Sequence, residues 1–533
     1  MRLFPVVRSL VLVTLLGTLA SAQTPPTVQT DHGPVVGRQA DSRSFLGIPY
    51  AAPPTGALRW KAPQLAAFWT VPRDASKFGN DCPQKVIGLF ALPGETPGGV
   101  KGNEDCLTLN VYTPTGATPQ SRLPVMTWIH GGSFVAGSGS GYSGAELARK
   151  YGVIVVTMNY RLGALGWLSL PALSAEAGGQ SGNYGLQDQQ AALRWVQTNI
   201  AAFGGDPAKV TVVGESAGGM SVCAHLASPA SAGLFRSAII QSGLCTSPGN
   251  ALTLTQAETR NTRYVTNLGC KVTDLACLRN VDLDKLLSTT VPGQRPPSAQ
   301  VWSPVYASAS LPLQLRDAFG SGRFNQVPVL NGTTHDEGRL FIQVVSPDGK
   351  PVSPVLYWGG TGLTVGLINT SRTLARYPYQ RYGTPALAFA TLFTDAAFSC
   401  TALRVDQLLS KYVPVYAFEF NDPKAATFIK SPSDLPGLGS HHSSSLVYAF
   451  QAPVAGLSDP VLFTPAQRTL SDAFSGAWMS FVKTGNPNAA GAAWKPFATP
   501  QGNVQVFTPT GVQQSLNFAK DHQCEYWLPL DLQ

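Results

Sequence analysis

A serine flanked by glycines is the first feature of this sequence that points to covalent chemistry. It is Ser216 in the pentapeptide GESAG, residues 214–218, which follows the apolar run 210–213 and precedes the helix-compatible segment 220–226. A strand, a tight turn and a helix in this order form a nucleophile elbow, which exposes the serine hydroxyl above a sheet. Glycines flank the serine because the strained turn leaves no room for side chains there. We therefore predict that Ser216 is the nucleophile of an acyl-transfer reaction.

A second glycine-rich motif would stabilise the negative charge that acyl transfer creates. The sequence HGGSF, residues 130–134, follows the apolar run 125–129. It matches the HGGG-type loop whose backbone amides form an oxyanion hole. We predict that the amides of Gly131, Gly132 and Ala217 donate hydrogen bonds to the carbonyl oxygen, each contributing roughly 2.7 to 4 kcal/mol.

A serine hydroxyl becomes a good nucleophile only when a histidine accepts its proton and a carboxylate orients that histidine. The chain order with a nucleophile elbow is serine, acid, histidine. The adjacent His441 and His442 fit this order, because they follow the apolar run 413–420 in a loop rich in glycine and serine. His130 precedes Ser216, and we predict that it packs and orients its loop.

The other histidines and the acid are judged by position. His225 falls on the helix after the elbow, where core packing is expected, and His522 lies near the C-terminus. The acid is expected after the apolar run 327–331, where Asp336 and Glu337 stand side by side. Spacing alone leaves both carboxylates open.

The elements that must position these residues alternate along the chain. Six short apolar runs, separated by helical stretches, have the composition of strands that are covered on both faces of a sheet. These runs are residues 125–129, 153–158, 210–213, 238–241, 327–331 and 413–420. Apolar spacing of three to four predicts a helix over 184–203. The alternation predicts the α/β class, with a large, mostly parallel central sheet, helices on both faces, and long loop insertions near 82–106 and 345–385 that wall a pocket.

Longer stretches of the sequence resemble the type B carboxylesterase and cholinesterase family of α/β-hydrolases. Residues 203–218, which end in the GESAG elbow, look like the serine signature of that family, and residues 104–111 look like its second signature. The stretch 45–51 is also similar, so the resemblance covers nearly the whole mature chain. It implies a single α/β-hydrolase domain over residues 23–533 and carboxylic ester hydrolase activity.

The resemblance also assigns the acid and the base. The acid of the family is the glutamate of a DEG motif, which here is Glu337. Its histidine stands four residues before an aliphatic residue and six before an aromatic one, which fits His442 better than His441. The implied triad is therefore Ser216, Glu337 and His442. Ser443 stands where the family usually has glycine.

The chain has eight cysteines and begins with the export-signal pattern described below. These cysteines are expected to form disulfide bonds, because compartments outside the cytoplasm are oxidising. The pairs implied by the resemblance are Cys82 with Cys106, Cys270 with Cys277, and Cys400 with Cys524. Cys223 and Cys245 either pair or stay buried and free.

The first 22 residues have the order of an export signal. Arg2 and Arg8 precede the apolar run 10–19, which ends at the small residues 20–22. Because this run is too short to span about 30 Å of hydrocarbon, we predict a secreted or periplasmic protein with no integral membrane segment after signal removal. Loss of the two arginines lowers the net charge from +8 to +6, a slight surplus that does not indicate nucleic-acid binding.

Together these patterns predict a secreted serine carboxylesterase that hydrolyses small-molecule esters through an acyl-enzyme, with broad or short-to-medium-chain preference. No metal or organic cofactor is expected, because the clustered Cys/His spacing of a zinc site is absent from the sequence. Choline esters are not favoured, since residues 83–105 lack the tryptophan that cholinesterases carry there. The alternatives are a lipase or polyester hydrolase and a catalytically silent adhesion or binding module. The oligomeric state stays open.

Overall fold

The computed structural model describes residues 25–247, 252–289, 302–346, 350–488, 494–498 and 502–530. The predicted export signal, residues 1–22, lies outside the described residues.

Strands and helices alternate over this part of the chain. The strands are β1 (Thr27–Gln29), β2 (Pro34–Val36), β3 (Arg38–Gln39), β4 (Ser42–Pro49), β5 (Arg73–Asp74), β6 (Gln84–Lys85), β7 (Val100–Lys101), β8 (Thr108–Pro114), β9 (Leu123–Ile129), β10 (Ile154–Met158), β11 (Gly205–Glu215), β12 (Ser237–Gln241), β13 (Leu252–Thr253), β14 (Val305–Tyr306), β15 (Val329–Thr334), β16 (Val415–Phe420), β17 (Val504–Thr508) and β18 (Gly511–Ser515). The α-helices are α1 (Ala145–Tyr151), α2 (Gly163–Trp167), α3 (Pro171–Glu176), α4 (Tyr184–Asn199), α5 (Ala217–Ala227), α6 (Leu254–Asn267), α7 (Leu275–Arg279), α8 (Leu283–Ser288), α9 (Leu315–Gly320), α10 (Gly338–Val345), α11 (Pro354–Val365), α12 (Leu367–Arg376), α13 (Tyr379–Tyr382), α14 (Pro385–Phe393), α15 (Cys400–Leu409), α16 (Leu446–Phe450), α17 (Pro465–Thr484), α18 (Phe518–Asp521) and α19 (Cys524–Trp527).

One mixed sheet of eleven strands organises the molecule, in the order β18-β17-β16-β15-β12-β11-β9-β10-β8-β4-β3. The strands from β17 to β10 run parallel to one another. Antiparallel strands extend the sheet at both edges. The six predicted apolar runs all lie in the parallel part, which confirms the predicted α/β fold class.

Both faces of the sheet are buried, which explains why its central strands are apolar at successive positions. In β11 the neighbours Val212 and Val213 are both fully buried, but they belong to separate hydrophobic clusters. The cluster around Val212 includes Leu193 of α4, and the cluster around Val213 includes Trp478 of α17. Helices therefore cover the sheet on both sides, and α4 forms where the helix over 184–203 is predicted.

Parallel strands bring their carboxyl ends to the same edge of the sheet, where open α/β folds bind ligands. Strand β9 ends at Ile129, just before the HGGSF loop, and β11 ends next to Ser216. Strand β12 ends one residue before Ser242, and β15 ends three residues before Glu337. The topology alone thus collects the predicted chemistry at one edge.

The predicted insertion 345–385 is largely helical rather than irregular, and α11, α12 and α13 account for most of it. Pro354 stands in the first turn of α11, and the side chain of Ser353 caps that helix by accepting a hydrogen bond from Leu356 N. Gly366, with φ of 76°, separates α11 from α12. The prediction of irregular structure was wrong here, because Pro354 and Gly366 stand at helix ends and α11 continues through Gly359, Gly360 and Gly362.

Of the described helices, one continuous stretch is long and apolar enough to cross a membrane. It is Pro385–Leu409, which joins α14 and α15 through the π-helical segment Thr394–Ser399. Its most apolar window is 89% buried inside the protein. The apolar character is therefore that of a core helix.

Four disulfide bonds join segments that the sheet does not connect. They are Cys82–Cys106, Cys223–Cys245, Cys270–Cys277 and Cys400–Cys524, with sequence separations of 24, 22, 7 and 124. The pair Cys223–Cys245, which the sequence left open, links α5 to the loop after β12. Four such bonds indicate folding in an oxidising environment.

Candidate active site

Strand β11 and helix α5 hold Ser216 in a tight turn. Ser216 has φ of 56° and ψ of −122°, a region that residues other than glycine rarely occupy. A Cβ on Gly214 would lie 2.3 Å from the carbonyl oxygen of Gly218, and one on Gly218 would lie 2.0 Å from that of Ile129. Both glycines are therefore required for the turn to close against the neighbouring strand.

The HGGSF loop lies directly against this turn. A Cβ on Gly131 would lie only 3.0 Å from the Cβ of Ser216, and Gly132 has φ of 103°. Across the described chain, the amides of Gly131, Gly132 and Ala217 donate no hydrogen bond to a protein acceptor. Three predicted donors thus keep their N–H groups available near Ser216, as an oxyanion hole requires.

His442 is bound to Glu337. His442 Nδ1 lies 2.5 Å from Glu337 Oε2, and both side chains are buried. The other carboxylate oxygen, Oε1, accepts hydrogen bonds from Ser242 Oγ at 2.5 Å and from Thr334 N at 2.8 Å. A carboxylate held in this way keeps the proton of neutral His442 on Nδ1, so that Nε2 can accept another proton.

A second carboxylate, Glu215, faces the opposite nitrogen of His442. Its Oε1 lies 3.3 Å from His442 Nε2 and accepts a 2.5 Å hydrogen bond from Ser443 Oγ. Glu215 is buried and directly precedes Ser216 in the chain. The imidazole of His442 therefore lies between two carboxylates, Glu337 on Nδ1 and Glu215 near Nε2.

These neighbours decide the protonation of the site. Burial lowers the pKa of His442, but the charges of Glu215 and Glu337 outweigh burial and raise the pKa above its usual value of 6.5. Burial raises the pKa of Glu215, while the charge of His442 and the hydrogen bond from Ser443 partly offset that rise. The cationic form of His442 is thus the form that this site stabilises.

The other two candidates for the acid and the base, Asp336 and His441, have other partners. Asp336 lies 2.8 Å from Arg339 and accepts a hydrogen bond from Ser440 N. His441 Nδ1 lies 3.1 Å from the carbonyl oxygen of Gly439, and burial lowers its pKa to about 4. Both residues shape the loop, so the geometry favours Glu337 and His442 for catalysis.

Two further histidines pack as expected. The ring of His130 stacks on Tyr160 at a centroid distance of 4.4 Å, and its Nδ1 lies 2.8 Å from the carbonyl oxygen of Gly131. Burial lowers the pKa of His130 to about 4. His225 is buried on α5, with Nδ1 2.9 Å from Ser231 Oγ. Neither imidazole contacts the predicted nucleophile through these bonds.

Glu215, Ser242 and the role of Ser443 are not among the predicted site residues. Glu215 has no predicted role in GESAG, although a charged residue between an apolar strand and the elbow is a signal of a buried carboxylate. Ser242 lies 95 positions from Glu337, and no pattern links the two. Ser443 stands where the family usually has glycine, and its φ of 68° shows that the glycine-like backbone is kept.

A cleft of about 190 Å³ opens beside this cluster. Gly131, Gly132, Glu215 and Ser443 are among its lining residues. Its apolar lining comes from Val86, Ile87, Phe90, Leu92, Tyr142, Val454 and Leu457. The predicted insertion 82–106 therefore supplies a wall, whereas the described part of 345–385 does not line this cleft.

Aromatic rings enclose another side of His442. The ring centroids of Phe341 and Phe398 lie 5.1 Å and 5.0 Å from that of His442. Phe393 packs against both phenylalanines. These apolar contacts fix the imidazole and exclude water, which strengthens its interaction with the two carboxylates.

The arrangement can therefore perform acyl transfer. It combines a serine in a strained turn, a buried histidine on a carboxylate, and three amide donors, which are the groups that a serine hydrolase needs.

Comparison with known proteins shows the family of this chain. The sequence matches the carboxylesterase family over residues 24–527. It is 36% identical to the para-nitrobenzyl esterase of Bacillus subtilis over 480 residues, which cover 88% of this chain and 92% of that protein. It is 34% identical to the fumonisin B1 esterase of Sphingopyxis macrogoltabida, over 96% of this chain and 92% of that protein.

Solved structures extend the likeness to three dimensions. A structure of PNB esterase aligns with a TM-score of 0.78 at 32% identity, over 94% of this chain and 99% of that one. The α/β-hydrolase architecture and the sequence family therefore agree. This chain belongs to the carboxylesterase family and is a carboxylic ester hydrolase.

Proposed function

We propose that this chain is an exported serine carboxylesterase in which Ser216, His442 and Glu337 form the catalytic triad. The observation that carries the proposal is the 2.5 Å bond between His442 Nδ1 and Glu337 Oε2, close to the strained turn of Ser216. This bond orients the imidazole and stabilises its cationic form.

In acylation, Ser216 Oγ bonds to the ester carbonyl carbon while His442 Nε2 takes the hydroxyl proton. The amides of Gly131, Gly132 and Ala217 bind the oxyanion, and His442 then gives the proton to the departing alkoxide. Water repeats the sequence on the acyl-enzyme, releases the carboxylic acid and regenerates the serine.

His442 Nε2 now lies 3.3 Å from Glu215, the residue next to the nucleophile. Catalytic hydrogen bonds are often long before substrate binds and tighten in the substrate complex. We propose that Ser216 Oγ bonds to His442 Nε2 when an ester enters, while Glu215 stabilises the imidazolium that results.

The cleft favours small esters with short or medium acyl chains. Its volume of about 190 Å³ lies below the roughly 300 to 1,000 Å³ of pockets that take drug-sized ligands. Its walls are mainly apolar, and the amides of Gly131 and Gly132 supply polar contacts. The relatives named for para-nitrobenzyl and fumonisin B1 ester cleavage support a small-molecule ester as the substrate class.

Export to the periplasm or the medium is the remaining part of the proposal. It rests on the signal-like residues 1–22 and on the four disulfide bonds. Fractionation of expressing cells, with and without residues 1–22, measures whether the signal directs the enzyme out of the cytoplasm.

Hydrolysis of 4-nitrophenyl esters from acetate to palmitate tests the activity. The wild type is compared with Ser216→Ala and with the control Ser221→Ala. Ser221 lies on α5, and its hydroxyl donates a 3.0 Å hydrogen bond to the carbonyl oxygen of Ala217. We expect short-chain activity that Ser216→Ala loses and Ser221→Ala keeps within about tenfold. A preference for palmitate would instead indicate a lipase, and an inert wild type would point to a binding module.

A further inference from the structure

A second cluster of reactive side chains lies outside the predicted triad. His335 Nδ1 and His522 Nε2 both bond to the same oxygen, Glu419 Oε1, at 3.0 Å and 2.8 Å. All three potential ligand atoms lie within 4.8 Å of one another. Sequence spacing concealed this cluster, because its members are 84 and 103 positions apart.

The outer contacts of the cluster resemble those of a metal centre. His522 Nδ1 bonds to Asp395 Oδ1 at 2.7 Å, so that its Nε2 points at Glu419. Metal-bound histidines almost always donate the N–H of the second nitrogen to a carboxylate, a backbone carbonyl or a water. Asp395 also accepts a bond from Tyr377, whose hydroxyl in turn accepts one from Trp527 Nε1.

The position of Asp395 in the chain is unusual too. It lies on the π-helical segment Thr394–Ser399, within an otherwise α-helical stretch. Such π-segments are frequent at functional sites, because they redirect single side chains. Here the segment places the Asp395 carboxylate on His522 although it lies in a core helix.

We propose that His335, Glu419 and His522 bind a divalent transition-metal ion, for which Zn²⁺ is the reference ion. Two imidazoles and one carboxylate form a His₂Glu ligand set, and Zn²⁺ takes these ligands at about 2.0 to 2.2 Å. Ligands at that range from one ion lie roughly 3 to 4 Å apart, so the observed spacing needs only small side-chain rotations. Imidazole ligands favour zinc over calcium or magnesium.

The negative charge of the cluster and its exposure to solvent also fit a bound divalent cation. With both imidazoles neutral, Glu419 and Asp395 leave two negative charges, which one divalent cation balances. The ion would displace the ring proton that His522 shares with Glu419, and this proton would leave to the solvent. Neutral His335 would carry its own ring proton on Nε2 instead of Nδ1, so that Nδ1 can bind the ion. The side chain of His335 is 39% exposed, which opens the site to entering metal and to a water ligand.

The ion would join three distant segments of the fold. His335 follows β15 and stands two residues before Glu337, Glu419 lies on β16, and His522 follows α18. The disulfide Cys400–Cys524 already fixes the chain next to His522. A metal that closes loops of this length adds stability, so zinc should raise the Tm of the protein.

Zinc binding by the untagged mature chain, residues 23–533, tests the proposal without any measurement of activity. Protein freed of metal by chelation is dialysed against Zn²⁺, and bound zinc is counted by mass spectrometry. We expect one zinc per chain and a higher Tm with zinc. Asp395→Asn removes only the outer carboxylate and should weaken zinc binding by roughly 10- to 100-fold. Glu419→Gln and His335→Asn each remove a ligand, so both should weaken zinc binding more than Asp395→Asn does.

The matched control is His32→Asn. His32 Nδ1 lies 2.8 Å from Asp31 in an ion pair that no third ligand completes among the described residues, so its loss should not change zinc binding. Visible absorption of the Co²⁺-loaded wild type should also show the d–d bands of a low-coordinate site. A wild type that binds no zinc and gives no such bands, or a His335→Asn variant that binds like wild type, would show that protons alone hold the cluster.

Discussion

Replacing Glu337 by glutamine changes one carboxylate oxygen to NH₂ and keeps the shape of the side chain. The amide oxygen retains the hydrogen bonds from Ser242 and Thr334, which now reach Glu337 Oε1. The amide nitrogen then faces His442 Nδ1 in place of Oε2. Because an NH₂ group donates, Nδ1 must accept, and the proton of His442 moves to Nε2.

A histidine that carries its proton on Nε2 cannot take the proton of Ser216. This wrong tautomer is expected to lower kcat by roughly 10⁴-fold, or about 5.4 kcal/mol at 1.36 kcal/mol for each factor of ten. Glu215 Oε1 lies 3.3 Å from Nε2, where it can accept a hydrogen bond from the protonated nitrogen and stabilise the wrong tautomer further. We therefore expect a loss of at least this size.

The assay is acylation by 4-nitrophenyl acetate in single turnovers, with kcat and KM from steady state and Tm as the folding control. Glu337→Gln should lose kcat with little change in KM. Glu215→Gln is the matched control, since it neutralises the other carboxylate near His442 and should cost much less. If Glu337→Gln stayed within tenfold of wild type while Glu215→Gln fell by 10⁴-fold, the assignment of the acid would be refuted.

Three further predictions follow from the same contacts. The base must be neutral, so kcat/KM should rise with pH through the pKa of His442. The midpoint should lie above 6.5, because the charges of the nearby carboxylates outweigh the effect of burial on that pKa. A pH–rate profile with its midpoint at or below 6.5 would contradict this. Ser443→Gly removes the hydrogen bond that stabilises the Glu215 anion, so the pKa of Glu215 should rise and the midpoint for His442 should move to lower pH; an unmoved midpoint would argue against this coupling. Cys400→Ser with Cys524→Ser opens a loop of 124 residues and should lower the free energy of unfolding by about 5 kcal/mol, measured by chemical denaturation, and a loss under about 1 kcal/mol would count against it.

The parts of the fold that local patterns encode were predictable. Runs such as 210–213 are apolar because their strands are buried on both faces, and the glycines around Ser216 mark a turn that cannot hold side chains. The antiparallel strands β4 and β8, which lie between β10 and the edge strand β3, are not among the predicted runs. Polar residues such as Ser44 in β4 and Asn110 in β8 interrupt both strands, so neither has the continuous apolar character of the central parallel strands.

The contacts that tune the site depend on pairs of residues far apart in the chain. Ser242 reaches Glu337 across 95 positions, and Ser443 reaches Glu215 across 228. Neither pair leaves a periodic trace, because each arises only when the parallel strands bring their carboxyl ends to one edge. The His335 cluster leaves no trace in the sequence for the same reason, because its members are 84 and 103 positions apart, whereas the ligands of a sequence-recognisable zinc site stand in closely spaced pairs.

The disulfide bond between Cys82 and Cys106 anchors one wall of the cleft beside the predicted triad. The Cα atoms of these cysteines lie 5.0 Å apart, and residues 84–101 between them supply Val86, Ile87 and Phe90 to the cleft. A segment anchored so closely at both ends can change in length and composition while the sheet beneath it stays in register. Changes within residues 84–101 can therefore alter the shape of the cleft, and with it substrate specificity, while the glycines around Ser216 keep the elbow fixed.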